Sequence, residues 1–136
     1  MTKKVYLAGK ITGNDAYKEE FMKWESFVFA SLDCVIKNPI NHPKYTGPSD
    51  NEKMWRHYMK ESIRVLIDCN AVVFLPGWED SKGATIEHQI ALWLGLEIYY
   101  GVHYEQVESE RQEEVGVRED ANRFGIVTRN PRSLGT

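Results

Sequence analysis

The sequence predicts a single-domain α/β fold, a flavodoxin-like or Rossmann-like parallel sheet of four to five strands flanked by helices. Three observations carry this reading. Short apolar runs of strand length alternate with longer segments whose apolar residues recur every three or four positions. The run Ala71 to Leu75 has no polar alternation, as suits a central parallel strand covered on both faces. Glycine-punctuated turns, Gly9 to Gly13 and Pro76 to Gly83, follow two of the strands, where sheets of this class bind ligands.

Lys4 to Ala8 reads as the first strand, running into the loop at Gly9. From Asp15 to Ser31, Phe21, Trp24, Phe27, Val28 and Ser31 recur at helical spacing, with Asn14 or Asp15 available as N-cap. Asp33 to Lys37 is a second strand stopped by Asn38-Pro39, and the turn formers of 41–48 make an irregular loop that shapes a site. Ser49 or Asp50 caps a helix to about Asp68, with Trp55, Tyr58, Met59, Ser62, Ile63, Leu66 and Ile67 as its apolar stripe. After the third strand a helix spans Ala84 to Leu94, Gly95 ends it, and Glu97 to Tyr100 is the fourth strand. The domain reading is 1–101, followed by a charged extension, 102–136. Glu105 to Asp120 is a solvated helix or flexible arm, Gly125 to Thr128 a last edge strand and Asn130 to Thr136 a loose tail.

With 136 residues, 42% of them hydrophobic, the chain is long enough for one core. A net charge of −3 supplies no global basic field, which argues against a nucleic-acid polymer as ligand while leaving room for a local cationic pocket. The longest apolar runs are too short to span a bilayer and no signal-peptide core follows the N-terminal lysines, so a cytoplasmic protein with no membrane partner is expected. Cys34 and Cys69 lack paired metal-ligand spacing and read as small buried hydrophobes. No metal and no cofactor enter the reading.

The chemistry concentrates in Phe74 to Glu87, a buried strand that ends in a polar turn and opens a helix. Amides at a helix N-terminus lack intrahelical partners and sit at the positive end of the helix dipole. A phosphate near Ser81, Lys82 and Gly83 would therefore meet N–H groups, a hydroxyl and an ammonium. Glu87 lies about one turn further, roughly 5 Å along the axis, placed to reach the sugar of a nucleotide whose phosphate the loop holds. Gly9 and Lys10 belong to the other strand-end loop, and Tyr17 and Trp78 are aromatics that either stack on a base or serve as core and rim. His42 and His88 read as loop and helix-surface residues; Trp24, Phe27, Trp55 and Trp93 read as core or subunit contacts.

Tyr6-Leu7-Ala8-Gly9, then Asn70 to Trp78, then Ser81-Lys82-Gly83-Ala84 with Glu87 and Ala91, resemble the nucleoside 2-deoxyribosyltransferase-like superfamily, in particular a small branch common in phages and prophages. The resemblance covers roughly residues 4 to 100. It implies that Glu87 is the nucleophile that attacks the anomeric carbon and releases the base. The substrate-binding set read from the two strand-end loops, the helix start and the aromatics is Gly9, Lys10, Tyr17, Gly77, Trp78, Ser81, Lys82 and Gly83, and the resemblance implies assembly as a homodimer or a multiple of one. Relatives acting on free nucleosides often carry aspartate six residues before the glutamate, whereas those hydrolysing nucleoside 5′-monophosphates carry serine. Ser81 here points to a nucleotide, because a carboxylate would repel a phosphate.

Two positions depart from the pattern. Ser62 and Asn70 stand where relatives have aspartate; Glu61 and Asp68 are the neighbouring carboxylates that a rotated helix would bring to the site. Loss of the helper carboxylate motivates a second reading, a non-catalytic nucleotide-binding protein that senses or sequesters its ligand. A third is an interaction module working through the charged C-terminal arm. The aromatic content, four Trp, seven Tyr and five Phe, exceeds what a small sheet can cover. This places the helices of about Glu52 to Asp68 and Ala84 to Leu94, with Tyr58 and Trp93, at a subunit contact.

Overall fold

The computed structural model describes residues 2–103 and 124–129. Its strands are β1 (Lys3–Ala8), β2 (Cys34–Lys37), β3 (Ala71–Phe74), β4 (Glu97–His103) and β5 (Phe124–Val127), joined in one sheet in the order β2-β1-β3-β4-β5. Three helices, α1 (Tyr17–Ser31), α2 (Asn51–Ile67) and α3 (Lys82–Leu94), complete the α/β architecture. The first four strands are parallel, as the alternation of elements predicts. The expected edge strand is present and runs antiparallel to β4, with Tyr100 opposite Val127 and His103 opposite Phe124. The predicted arm, Glu105 to Asp120, and tail, Asn130 to Thr136, lie outside the described residues.

Strand alternation divides the core. On one face of β1, Val5 and Leu7 join Phe21, Trp24 and Val28 of α1; on the other, Tyr6 and Ala8 join Leu66 of α2 and Ala84 and Ala91 of α3. Every residue of β3 is completely buried, as its unbroken apolar run requires. Each such Val or Phe contributes about 1.5–3 kcal/mol of burial. From β1 the chain runs out to β2 with α1 on one face, then crosses back over β1 to β3 with α2 on the other. The loops after β1 and β3 therefore diverge and leave a crevice at the switch point.

Helix boundaries follow local chemistry. Asp50 caps α2 by accepting the Glu52 and Lys53 amide N–H groups, and Gly95, at φ +70°, ends α3. The start of α1 differs from expectation. Its N-cap is Ala16, because the Asn14 side chain is used in the preceding turn, accepting the Ala16 N–H and donating to the Lys10 carbonyl. On α2, Ser62 and Leu66 are buried but Ile67 is 54% exposed, since the helix ends there and Val65 covers the core in its place. Trp93, read as a core or subunit aromatic, is 86% exposed. Cys34 and Cys69 are buried free thiols, and burial pushes the Cys69 thiol up to about 11. No described helix is long and apolar enough to cross a membrane.

Candidate functional site

A cavity of about 950 Å³ opens beyond the carboxyl ends of β1 and β3, near the upper end of the size range of small-molecule sites. Gly9, Lys10, Ile11 and Thr12 line it from the loop after β1, and Tyr17 and Lys18 from the start of α1. The loop after β2 supplies His42 and Lys44, α2 supplies Trp55, Tyr58, Met59 and Ser62, and the start of α3 supplies Ser81, Lys82, Gly83 and Glu87. The fold thus brings Gly9, Lys10, Tyr17, Ser62, Ser81, Lys82, Gly83 and Glu87, all singled out from the sequence, around one space.

Glu87 forms the floor. It is 5% exposed, and the Tyr6 hydroxyl donates to its Oε2 at 3.1 Å. Burial pushes its pKa from the ordinary 4.5 up to about 8, against the opposite pull of the Tyr6 and Ser62 hydroxyls that face the carboxyl. Tyr6 is itself shifted well above the usual phenol range, first by burial and then by the Glu87 charge. A carboxyl so shifted favours its protonated form near neutral pH.

The expected anion cradle would lie at the start of α3. Ser81 caps the helix, its Oγ accepting the Ala84 N–H at 3.1 Å, which leaves the hydroxyl hydrogen free to donate outward. The Lys82 and Gly83 amides, in the first turn, have no intrahelical acceptor. The Lys82 ammonium rests 4.6 Å from the Trp55 ring centroid, a cation–π contact that holds it at the cavity wall. A Cβ at Gly83 would sit 2.9 Å from the Met59 sulfur, so the Met59 side chain closes tightly over the first turn of α3. Lys10, Lys18 and Lys44 add positive charge around the cavity, and Glu52 and Asp80 add negative. Among the described residues, no three His, Cys, Asp or Glu side chains cluster so as to hold a metal ion.

Other residues singled out from the sequence fall elsewhere. Gly77 takes a left-handed φ of +89° and turns the chain, so Trp78 folds back into the core instead of facing the cavity. There it stacks on His88 at 4.4 Å and packs against Phe74 at 5.0 Å. Glu61 pairs with Arg64 at 2.9 Å and does not line the cavity, whereas Ser62, about 100° further around the helix, does. Asp68 is bound to Lys4 at 3.0 Å, and the Asn70 side chain accepts the Lys4 amide N–H at 2.8 Å. Both therefore tie down the start of β1, opposite the cavity. His88, half-buried between Trp78 and Tyr100, has its Nε2 2.6 Å from the Tyr100 hydroxyl.

The sequence reading passed over two cavity residues. Tyr6 was visible as part of a strand motif, and the alternation that puts Tyr6 and Ala8 on one face signals a buried hydroxyl in need of a partner. His42 carried no local signal. Its Nε2 lies 3.0 Å from Ser62 Oγ and its ring stacks on Tyr6 at 6.4 Å and 15°. Its pKa is lowered, chiefly by burial; Glu61 opposes this and His57 adds to it. The Tyr58 hydroxyl accepts the Tyr45 N–H at 3.0 Å, anchoring the loop that carries His42.

No curated protein matches the chain. Residues 3–100 match the family described as Domain of unknown function (DUF4406), and over that span, which includes all of β1 to α3 and the cavity floor, the chain belongs to this family.

Proposed function

We propose that the protein cleaves or transfers across the N-glycosidic bond of a nucleotide, a (deoxy)nucleoside 5′-monophosphate, with Glu87 as nucleophile. One observation carries the reading: a buried carboxyl faces a nucleotide-sized cavity one helical turn from an N-terminus that displays Ser81, Lys82 and Gly83. Breaking the bond generates an oxocarbenium-like sugar, which a close carboxylate stabilises by charge or captures as a glycosyl ester. The phosphate on the α3 cradle fixes the distance between C1′ and the carboxyl, which turns binding energy into orientation. The Ser81 hydroxyl can approach a dianion that a carboxylate would repel. The resemblance to the nucleoside 2-deoxyribosyltransferase-like superfamily supports the same assignment, and a cytoplasmic setting goes with it.

Self-association belongs to this reading too. Leu92, Trp93 and Leu94 form an exposed apolar end of α3, a surface suited to a two-fold partner.

The test is release of free base, followed by chromatography, from a panel of deoxynucleoside and ribonucleoside 5′-monophosphates. Base appears with at least one of them, and Glu87→Ala abolishes release while nucleotide affinity stays within about tenfold. Tight binding of a nucleotide with no base released from any would replace this reading with the non-catalytic one.

A further inference from the structure

In the cavity, the Ser62 hydroxyl stands between His42, 3.0 Å away, and the Glu87 carboxyl, to which Tyr6 also donates. The two carboxylates that neighbour Ser62 in the sequence reading are paired elsewhere, Glu61 with Arg64 and Asp68 with Lys4. A leaving base nevertheless needs a proton. We propose that Ser62 and His42 form a proton relay that takes the proton of the Glu87 carboxyl and delivers it to the departing base. The inference rests on the reading of Glu87 as nucleophile.

Each step balances. At rest burial keeps Glu87 protonated and His42 neutral, so the pair across Ser62 carries no charge. The carboxyl proton passes to Ser62 Oγ as the Ser62 proton passes to His42 Nε2, leaving a carboxylate and an imidazolium. A Glu87 oxygen then bonds to C1′. The C1′–N bond breaks with its electron pair going to the base, and the imidazolium returns the proton through Ser62 to the base nitrogen. Water later attacks C1′ of the ester; its hydroxyl stays on the sugar and its proton restores the Glu87 acid. The groups around His42 fit this cycle. Tyr6 stacks on the ring, Ser62 takes Nε2, and Glu61, acting through space from α2, favours the transient imidazolium that His57 disfavours. His42 acts through Ser62, so it is a relay residue and Glu87 the catalytic one.

Leaving-group dependence tests the relay in the full chain. A deoxynucleoside 5′-monophosphate needs a proton on its base, whereas 4-nitrophenyl 2-deoxyribofuranoside 5-phosphate expels a nitrophenolate that does not. His42→Gln and Ser62→Ala are expected to lose about 10²-fold or more in kcat on the nucleotide and at least about tenfold less on the nitrophenyl compound, for which the relay still takes the Glu87 proton but need not deliver it. Ser62→Thr, which keeps a hydroxyl, restores most of the nucleotide rate. Equal losses on both substrates would overturn the relay, as would a folded Ser62→Thr no faster than Ser62→Ala. Glu87→Ala loses both substrates; nitrophenolate release that survived this change would instead refute the nucleophile assignment, whatever His42 does.

Discussion

Replacing Glu87 by Gln should stabilise the fold above neutral pH while removing the proposed activity. Glutamine keeps the shape of the side chain, and its amide oxygen can still accept from the Tyr6 hydroxyl, which donates to Glu87 Oε2 at 3.1 Å. What it removes is the cost of ionising a carboxyl that is 5% exposed. The folded-state value lies above the unfolded one, so the native chain holds a proton that the unfolded chain releases. Stability from this group is complete below 4.5 and is lost as pH rises from 4.5 to about 8. That gap, at about 1.4 kcal/mol for each tenfold change in acidity, sets a ceiling of about 5 kcal/mol. Water entering the cavity lowers the cost, and a difference of about 2 kcal/mol is the working expectation. Urea unfolding of both proteins at about pH 5 and about pH 9 measures it, since every other titrating group cancels in the difference. The two should be nearly equal in acid, with the Gln variant more stable in base. Parallel pH dependences would show that Glu87 is not held as a buried acid.

Ser81→Asp places a fixed charge at the α3 cradle; nucleoside monophosphate affinity should fall at least about tenfold more than affinity for the free nucleoside, by calorimetry, and equal losses would move the phosphate elsewhere. Asp50→Ala removes the acceptor of two amide N–H groups at the start of α2 and should cost about 1 kcal/mol in urea unfolding; an unchanged midpoint would show that the cap adds nothing. Light scattering during size-exclusion chromatography at micromolar concentration should give a dimer or a multiple of it, with Trp93→Asp shifting it toward one chain; a wild-type mass near 15.8 kDa would defeat the assembly.

The parts of the fold that could be read from the sequence are those governed by short-range periodicity. The apolar run of β3 and the Gly95 stop need no knowledge of distant residues, and Glu87 stands at a fixed helical offset from Ser81. The antiparallel direction of β5 was not readable, because Gly125 to Thr128 has strand composition without directional information. Trp78 depended on a single dihedral: the left-handed Gly77 aims it at His88 and away from the ligand space. His42 was the hardest to see, since it meets Ser62 across twenty residues of sequence through an irregular loop held by Tyr58 and Tyr45. The absent helper carboxylate was therefore noticed at Ser62, while the imidazole beside it was not.

The family match ends at residue 100, yet β4 continues to His103 and β5 returns to pair with it. The sheet of the shared domain is thus finished by chain from beyond that domain. A protein shortened after His103 would keep its cavity and Glu87 but would bare the β4 ladder from Tyr100 to His103, a row of unpaired amides and carbonyls open to any extended chain. Shortening the gene to the recognisable domain is accordingly a route to an aggregating product, and loss of solubility in such a fragment would say nothing about the site.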